Sequence, residues 1–356
     1  MCIRDRFIYA PSAGDDLDAS SKWFYEYNMC GTGPYMLQEY SNGSHLILKK
    51  FADYWQGWDG NHIEQIIFKS AEESTTRRQM IEGGEADIAF DITASDAEAM
   101  ASDQNLTIEV TDTEKNLQCF LNVEAGPLQD QKVRQAIAYS FPYQDVIDYV
   151  QYGKYATLPK DVIAPATLIG STTEIPYTYD LDKAKALLKE AGKADGFELT
   201  ASYHNIDEDT KKVLELWKSE LSKLNVTLNI EANSWEVVYN KAKSANPEER
   251  DDLFICKTFA DTNTAYGPYS TCVESGAGWN FSGIKNAEYD EKIEAAYQAG
   301  AFDQRQFIDG FHEVGAKIAE DCFQMNLYDF SQITAVSKDF HGFTLNPAYQ
   351  SAVLFY

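Results

Sequence analysis

The sequence predicts an α/β protein with room for two domains. Its 356 residues would fill two domains of ordinary size, and 44% apolar with 24% charged residues is the composition of a folded globular chain. From residue 197 onward, apolar runs of strand length alternate with longer segments of helical periodicity. That alternation is typical of parallel strands joined by helices.

The region from residue 23 to residue 123 predicts strands and turns around one helix. Tyr35–Tyr40 and His45–Phe51 are apolar-rich runs, and the Ser-Asn-Gly-Ser sequence between them is a hairpin signal. Further elements are predicted as strands over 63–68, 86–90 and 117–123 and as a helix over 72–82, which two glycines end.

The middle of the chain predicts helices and an irregular segment. Apolar residues recur at helical spacing over 130–151, and Pro142 is expected to separate two helices there. Prolines recur between residues 153 and 180 and indicate a long irregular segment on the surface. A short helix over 182–191 follows, with Gly192 at its C-terminal end.

The C-terminal half predicts a βαβαβ unit with parallel strand pairing. Strands are predicted over 197–203, 226–230 and 253–256, with helices over 207–224 and 235–242 between them. Two helices, over 287–299 and 304–319, and two strands, over 323–328 and 333–336, complete the predicted order.

The charge balance argues against a nucleic-acid partner. Lys and Arg number 30 and Asp and Glu 56, which leaves a net charge of −26, whereas neutralising phosphates requires a basic face. No stretch approaches the length of apolar residues that a membrane span needs. Residues 1–21 carry no export signal, and we expect them to be a truncated start, partly foreign to the fold.

The motifs of common enzymes and metal sites are not found. Ala316 stands four residues after His312, where a zincin needs its second histidine, and Ser275 lacks the flanking glycines of a nucleophile elbow. The six cysteines include no C-x-x-C pair; buried free thiols are expected for at least three, although Cys256 and Cys272 could pair in an exported protein. The sequence therefore predicts no catalytic residue, no metal site and no cofactor.

A series of short motifs runs through the chain in a fixed order. They are Gly31–Tyr35 (GTGPY), Phe51–Trp55 (FADYW), Ile63–Phe68 (IEQIIF), Glu82–Ile88 (EGGEADI), Asn122 with Pro127–Asp130 (PLQD), Val133–Tyr139 (VRQAIAY), Tyr179–Asp180, Lys183–Leu188 (KAKALL) and Ala191–Gly192. Together they resemble the peptide/nickel class of ABC-transporter substrate-binding proteins, solute-binding family 5, over nearly everything after residue 22.

The resemblance implies an α/β clamshell of the type II periplasmic-binding-protein class, with mixed sheets and two lobes joined by crossing strands. It assigns residues 22–120 and 327–356 to lobe I and residues 121–326 to lobe II, which contains the βαβαβ unit. Members of the family have a further stretch before the Gly-Thr-Gly-Pro-Tyr motif. We therefore expect the N-terminal part of lobe I to be missing from this chain.

The resemblance also implies ligand-binding residues after the strand that ends near Cys256. Phe259 and Asp261 lie in the segment where peptide-binding relatives place an aspartate that pairs with the peptide's α-ammonium. Thr258 and the Thr-Asn-Thr sequence over 262–264 depart from the family pattern, which keeps ligands without a free amine open. The alternative for Asp261 is a loop cap or a solvated carboxylate.

Four other residues are candidate ligand contacts by resemblance. Trp279 and Asn280 occupy a glycine-flanked loop where relatives have an Asn before an aromatic stretch, with core packing as the alternative for Trp279. Tyr35 and Tyr328 lie near the expected strand crossings. The Gly31–Tyr35 motif itself is interpreted as a tight turn into a strand.

The function that the resemblance implies is reversible capture of a small organic solute and its delivery to an ABC permease. An oligopeptide is the first ligand expected; opines, oligosaccharides and metal chelates stay open. The protein is expected to be a monomeric non-enzyme in the periplasm or at the cell surface, free or lipid-anchored. The alternatives are an extracytoplasmic peptide hydrolase and a receptor that signals without transport.

Overall fold

The computed structural model describes residues 31–172, 177–260 and 262–346. The chain forms two compact units, which divide between Glu73 and Ser74. The predicted boundary between lobes, near residue 120, is a different division and stays a prediction. In the part of the chain that the structure describes, no helix combines the length and apolar character of a membrane span.

The first unit contains a three-stranded antiparallel sheet in the order β1-β2-β3. Its strands are β1 (Tyr35–Ser41), β2 (His45–Lys50) and β3 (Gln65–Lys69). Gly43 adopts a positive φ of 71° in the turn between β1 and β2, a conformation that glycine reaches without steric cost. The predicted hairpin is therefore confirmed, and its register pairs Ser41 with His45.

The second unit holds the remaining elements. In chain order they are α1 (Ser74–Glu82), β4 (Ile88–Ala89), α2 (Ala94–Met100), β5 (Leu106–Thr111), β6 (Lys115–Leu121), α3 (Gln131–Tyr139), β7 (Ala156–Thr157), α4 (Leu181–Glu190), β8 (Phe197–His204), α5 (Glu208–Ser222), β9 (Val226–Asn233), α6 (Trp235–Ala242), β10 (Leu253–Phe259), α7 (Tyr266–Cys272), α8 (Ala287–Gly300), α9 (Gln304–Asp321), β11 (Gln324–Phe330) and β12 (Gln332–Ser337). Short helical turns occur at Pro127–Gln129, Tyr143–Asp145, Val146–Val150 and Pro247–Glu249.

A six-stranded mixed sheet forms the centre of this unit, in the order β7-β11-β6-β10-β8-β9. β8 pairs in parallel with both β9 and β10, which confirms the predicted βαβαβ unit. β6 lies antiparallel between β10 and β11 and makes the sheet mixed. A second, three-stranded antiparallel sheet has the order β4-β12-β5.

The two faces of the six-stranded sheet pack into separate hydrophobic clusters. Leu253 and Ile255 of β10 belong to one cluster, which contains the fully buried Trp217 of α5. The intervening Phe254 and Cys256 belong to the other cluster, against helices α7–α9. This alternation along one strand means that helices cover both faces, as the near-continuous apolar sequence of β10 requires.

The cysteines of the described ranges are buried free thiols, namely Cys119, Cys256, Cys272 and Cys322. The possible disulfide between Cys256 and Cys272 is therefore not formed, whereas the expectation of at least three buried thiols is confirmed. Burial raises the pKa of the Cys272 thiol to about 11. These thiols are consequently packing groups, protonated at neutral pH, and not reactive thiolates.

Among the described residues, two chain segments pass between the β4-β12-β5 sheet and the six-stranded sheet. One joins β5 to β6, and the other is Ser331 between β11 and β12. The segments are tied together because Thr113 Oγ1 donates to the Phe330 carbonyl at 2.7 Å and Ser331 Oγ donates to Asp112 Oδ1 at 3.1 Å. We call this place the strand crossing, and it positions the candidate site.

Candidate functional site

A cavity of about 230 Å³ opens beside the strand crossing, within the second unit. Four parts of the chain build its wall, and their residues are Asp91–Thr93 before α2, Lys115 of β6, Lys257–Phe259 of β10, and Tyr328, Phe330 and Ser331–Ile333 around the crossing. Gln151 and Asp209 complete the lining. We call it the crossing cavity.

The pairing of the strands places two cations and several rings on one face of the sheet. Lys257 and Tyr328 both pair with Leu117, from opposite sides of β6. Phe259 pairs with Lys115, and Phe330 lies two residues beyond Tyr328. Lys115 stands two residues before Leu117 on β6, and side chains two residues apart share a face of a strand. Both lysines and all three aromatic rings therefore point to the cavity side of the sheet.

The two ammonium groups lie close to one aromatic ring. Lys257 Nζ lies 5.6 Å and Lys115 Nζ 6.0 Å from the centre of the Phe330 ring, within the range of a cation–π attraction. The Phe330 ring therefore offers both an apolar surface and a partner for the charge of the lysines.

The lysines differ in how far they are neutralised. Lys257 Nζ lies 3.0 Å from Asp207 Oδ2. Burial disfavours the charged form of Lys257, but Asp207 and Asp209 together raise the pKa of Lys257 above its usual value. Lys115 Nζ donates to the amide oxygen of Gln332 at 3.1 Å and lies 3.8 Å from Asp91 Oδ1. Burial, assisted by the charge of Lys257 and opposed by Asp91, lowers the pKa of Lys115.

The carboxylates around the cavity are held by local backbone geometry. Asp207 caps helix α5 by accepting from the Thr210 amide at 3.2 Å. Asp209, in the first turn of that helix, is buried, and its burial raises its pKa. Asp91 has a positive φ of 51°, a conformation that aspartate tolerates better than most residues, and its carbonyl accepts from Arg77 Nη2 at 2.6 Å.

Two of the predicted ligand residues line the crossing cavity. Phe259 is 64% exposed at the end of β10, which is unusual for a phenylalanine that follows a buried strand. Tyr328 is buried, and its hydroxyl accepts from Gln151 Nε2 at 3.3 Å. Asp261 lies outside the described residues.

The other predicted residues lie elsewhere. Asn280 fixes its own loop, because its Nδ2 donates to the Ile284 carbonyl at 2.8 Å and its Oδ1 accepts from the Gly283 amide at 3.1 Å. Trp279 packs edge-on against Phe281, with ring centres 5.4 Å apart. These contacts are structural, and a ligand role for Asn280 and Trp279 stays a prediction.

Tyr35 belongs to the first unit, at the start of β1. Its hydroxyl donates to the Ile63 carbonyl at 3.0 Å, and its ring meets Trp58 edge-on at 5.7 Å. A ligand role for Tyr35 also stays a prediction.

Several cavity residues were missed by the sequence reasoning, namely Asp91, Lys115, Gln151, Asp209, Lys257 and Phe330. No linear motif contains them, since they come from segments far apart in the chain. The available signal was the spacing Lys-x-Phe at the end of β10 and Tyr-x-Phe at the end of β11, which puts a charge or a ring on alternate positions after buried strands. Among the described residues, no group of three His, Cys, Asp or Glu side chains is placed to hold a metal ion.

Comparison of the sequence with family models finds one match over residues 6–280, to the bacterial extracellular solute-binding proteins, family 5 (Middle). Among curated proteins, the chain is 33% identical over 203 residues to the glutathione-binding protein GsiB of Salmonella typhimurium (strain LT2), covering 57% of this chain and 39% of that protein. GsiB of Escherichia coli (strain K12) is 30% identical over 203 residues, with the same coverage of 57% and 39%. The chain thus matches about two fifths of the length of these relatives.

Solved structures share the fold. A dipeptide-binding protein from a Pseudoalteromonas species, in complex with Met-Leu, superposes with a TM-score of 0.78 at 22% identity, covering 93% of this chain and 66% of that chain. The periplasmic binding protein DppA from Helicobacter pylori, in complex with peptide STSA, gives a TM-score of 0.78 at 20% identity, covering 94% and 67%. The predicted fold class, that of the type II periplasmic binding proteins, is confirmed.

Proposed function

The chain belongs to the bacterial extracellular solute-binding proteins of family 5, and from that premise we propose that it is the substrate-binding component of an ABC importer. It captures a small organic solute, with an oligopeptide as the first ligand class, and releases it unchanged to a membrane permease. It acts outside the cytoplasmic membrane, as a monomer, and no bond of the ligand is broken. Capture is a shift in population between open and ligand-bound states.

The crossing cavity is the observation that carries this proposal. Its lining comes from segments that the sequence assigns to both predicted lobes: Asp91 and Lys115 to lobe I, Lys257 and Phe259 to lobe II. A cavity that draws on both lobes is what a binding protein of clamshell type requires, because closure then buries the ligand on all sides.

The chemistry of the lining favours a peptide. Ammonium groups, carboxylates, amides and aromatic rings surround about 230 Å³, less than the roughly 300–1,000 Å³ of pockets for drug-sized ligands. A short peptide, or one end of a longer peptide, offers both charges and several hydrogen-bonding groups in that small volume. The names of the similar proteins agree with this ligand class, since glutathione, Met-Leu and STSA are all short peptides.

Calorimetry on the protein expressed from its complete gene tests the proposal. The titrants are di- to tetrapeptides, glutathione, oligosaccharides and metal chelates, and mass spectrometry identifies what is recovered. We expect peptides to bind with stoichiometry one, to raise the melting temperature and to be recovered intact. Recovery of cleaved peptide would favour the hydrolase alternative, and binding of saccharides alone would remove peptides as the ligand class.

Three variants test the residues proposed to touch the ligand. Asp261→Asn is expected to weaken peptides with a free α-amine more than their N-acetylated forms, if this carboxylate recognises the amine. Phe259→Ala is expected to weaken both forms equally, because it removes apolar contact area. Trp279→Phe keeps the packing of the loop, so a loss of affinity in that variant would indicate a ligand contact.

A further inference from the structure

We propose that Lys115 and Lys257 form a carboxylate-binding subsite in the crossing cavity, and that Asp91 competes with the carboxylate of the ligand for Lys115. The proposal rests on the proposed function and makes it more specific, because it names the chemical group that the cavity selects. For the ion pair of Lys115 and Asp91, it predicts that Lys115 raises the affinity for a carboxylate and that Asp91 lowers it.

The fold holds two like charges together in the wall of one cavity. Lys115 and Lys257 stand diagonally on neighbouring strands, and the ammonium group of each lies within about 6 Å of the centre of the Phe330 ring. Like charges on adjacent strands repel, and this repulsion is relieved when an anion enters between them. The Phe330 ring would pack against the carbon atoms beside that carboxylate.

Lys115 is the cation with the weaker compensation. Lys257 has Asp207 at 3.0 Å, and the side chain of Asp207 is only 16% exposed. The charged neighbour of Lys115 is Asp91 at 3.8 Å, which is longer than a hydrogen bond, and the side chain of Asp91 is 70% exposed. A solvated ion pair of this kind contributes little to stability. A ligand carboxylate at hydrogen-bonding distance therefore stabilises the charge of Lys115 more than that of Lys257.

Asp91 is placed to compete for Lys115. Its positive φ and the hydrogen bond from Arg77 to its carbonyl fix the backbone, which leaves the carboxylate at the wall of the cavity. A ligand carboxylate that approaches Lys115 must displace or repel this group. The negative charge of Asp91 therefore lowers affinity for anions in the intact protein, whereas a neutral side chain of the same shape would not.

The experiment uses two probes that differ in one charge, trialanine with a free carboxylate and trialanine amide, titrated calorimetrically into the protein from its complete gene. We expect wild type to bind the acid at least tenfold more tightly than the amide. Lys115→Met should remove most of this preference. Asp91→Asn should tighten the acid three- to tenfold and leave the amide within twofold, because Asn tolerates the same positive φ.

Control variants separate a ligand contact from a structural role. Lys154→Met removes a lysine that is paired with Glu98 at 2.7 Å and does not line the crossing cavity, so it should leave both affinities unchanged. Lys115→Gln provides a second variant if Lys115→Met folds poorly, as judged by circular dichroism and melting temperature. Lys257→Met should also weaken the acid selectively, by less than Lys115→Met, because Asp207 already neutralises Lys257.

The outcomes distinguish this subsite from the broader function. If wild type binds acid and amide equally, or if Asp91→Asn weakens the acid as Lys115→Met does, the subsite is wrong while the peptide-binding function stands. If wild type binds neither trialanine form nor any other peptide, the proposed function fails and the subsite fails with it.

Discussion

The two faces of the strand crossing use polar residues in opposite ways. On the cavity face, Lys115, Lys257 and Phe259 are partly or largely exposed. On the other face, Asn116 and Gln118 of β6 and Asp329 of β11 are buried. The residues of both faces alternate along the same strands, so one backbone supplies a binding surface and a structural core.

Partners distinguish the two faces. The Ile163 carbonyl accepts from Asn116 Nδ2 at 2.8 Å and from Gln118 Nε2 at 2.7 Å. Asp329 accepts from the Ala166 amide at 2.9 Å. We call residues 160–172 the latch loop, because its backbone is held to the back of the sheet by these side chains. Polar residue type alone therefore does not indicate a binding role. The better indication is a charged side chain beside a cavity whose charge is only partly neutralised by its neighbours.

Among single substitutions of buried polar side chains, the largest loss of stability is expected from Asp161→Asn, inside the latch loop. The Asp161 carboxylate is fully buried and accepts from the amides of Ile163 at 2.8 Å and Thr172 at 2.6 Å and from the Tyr269 hydroxyl. An amide at this position turns a donor toward other donors, which should lower the free energy of unfolding by about 3 kcal/mol. Urea denaturation of wild type and variant measures this loss in the free energy of unfolding.

The matched control for this substitution is Asp195→Asn, at an exposed position. It should change the free energy of unfolding by less than about 0.5 kcal/mol. Equal losses in both variants would show that the latch loop does not depend on its buried carboxylate.

A pH dependence is expected from Asp329. Burial raises the pKa of this carboxyl from 3.8 to about 6, although hydrogen bonds from Asn326 and the Ala166 amide oppose the rise. Between pH 4 and pH 6 the Asp329 carboxyl binds more protons in the folded state than in the unfolded state. Its contribution to the free energy of unfolding therefore falls as pH rises from about 4 to 6 and is constant above that range. The decrease is about 3 kcal/mol at most.

Denaturation at pH 4, 5, 6 and 7 measures this dependence by comparing wild type with Asp329→Asn. The variant should lack the part of the slope that Asp329 contributes. An identical slope in the two proteins would mean that Asp329 titrates alike in the folded and unfolded states.

Asn116 and Gln118 test whether the latch loop is held redundantly. Both donate to the same carbonyl, so Asn116→Ala or Gln118→Ala alone leaves that carbonyl with a partner and should cost about 1–2 kcal/mol. The double variant orphans the carbonyl and should exceed the sum of the single losses by about 1 kcal/mol. Strict additivity in urea denaturation would contradict a shared acceptor.

Local patterns were sufficient to predict most elements of the fold. The βαβαβ order and helices α8 and α9 follow from apolar periodicity. Helix α2 was missed, because its buried stripe is short and consists of two alanines, Ala94 and Ala97, with a single large side chain, Met100. Its N-terminus is capped by Thr93. The position of β6 between β10 and β11 was also not predicted, since pairing between distant strands leaves no local signal.

The site was predictable only where a residue belonged to a recognised segment. Phe259 and Tyr328 were proposed by resemblance and line the crossing cavity. Asp91, Lys115 and Asp209 could not be proposed, because their proximity arises from the strand crossing and not from spacing in the sequence. Charged residues are also abundant in a chain of net charge −26, so none of the carboxylates stands out by type.

The smallest effect on stability is expected at the residue that best represents the cavity face. Phe259→Ala should change the free energy of unfolding by less than about 0.5 kcal/mol, because the side chain is 64% exposed. Phe254→Ala, the same substitution five positions earlier in β10, should cost about 3–5 kcal/mol, because Phe254 is only 4% exposed within a core cluster. Peptide affinity should show the reverse order once both variants are assayed below their melting temperatures. Such a reversal within one strand would separate binding from folding directly, whereas a large stability loss in Phe259→Ala would place this ring in the core and remove it from the proposed ligand surface.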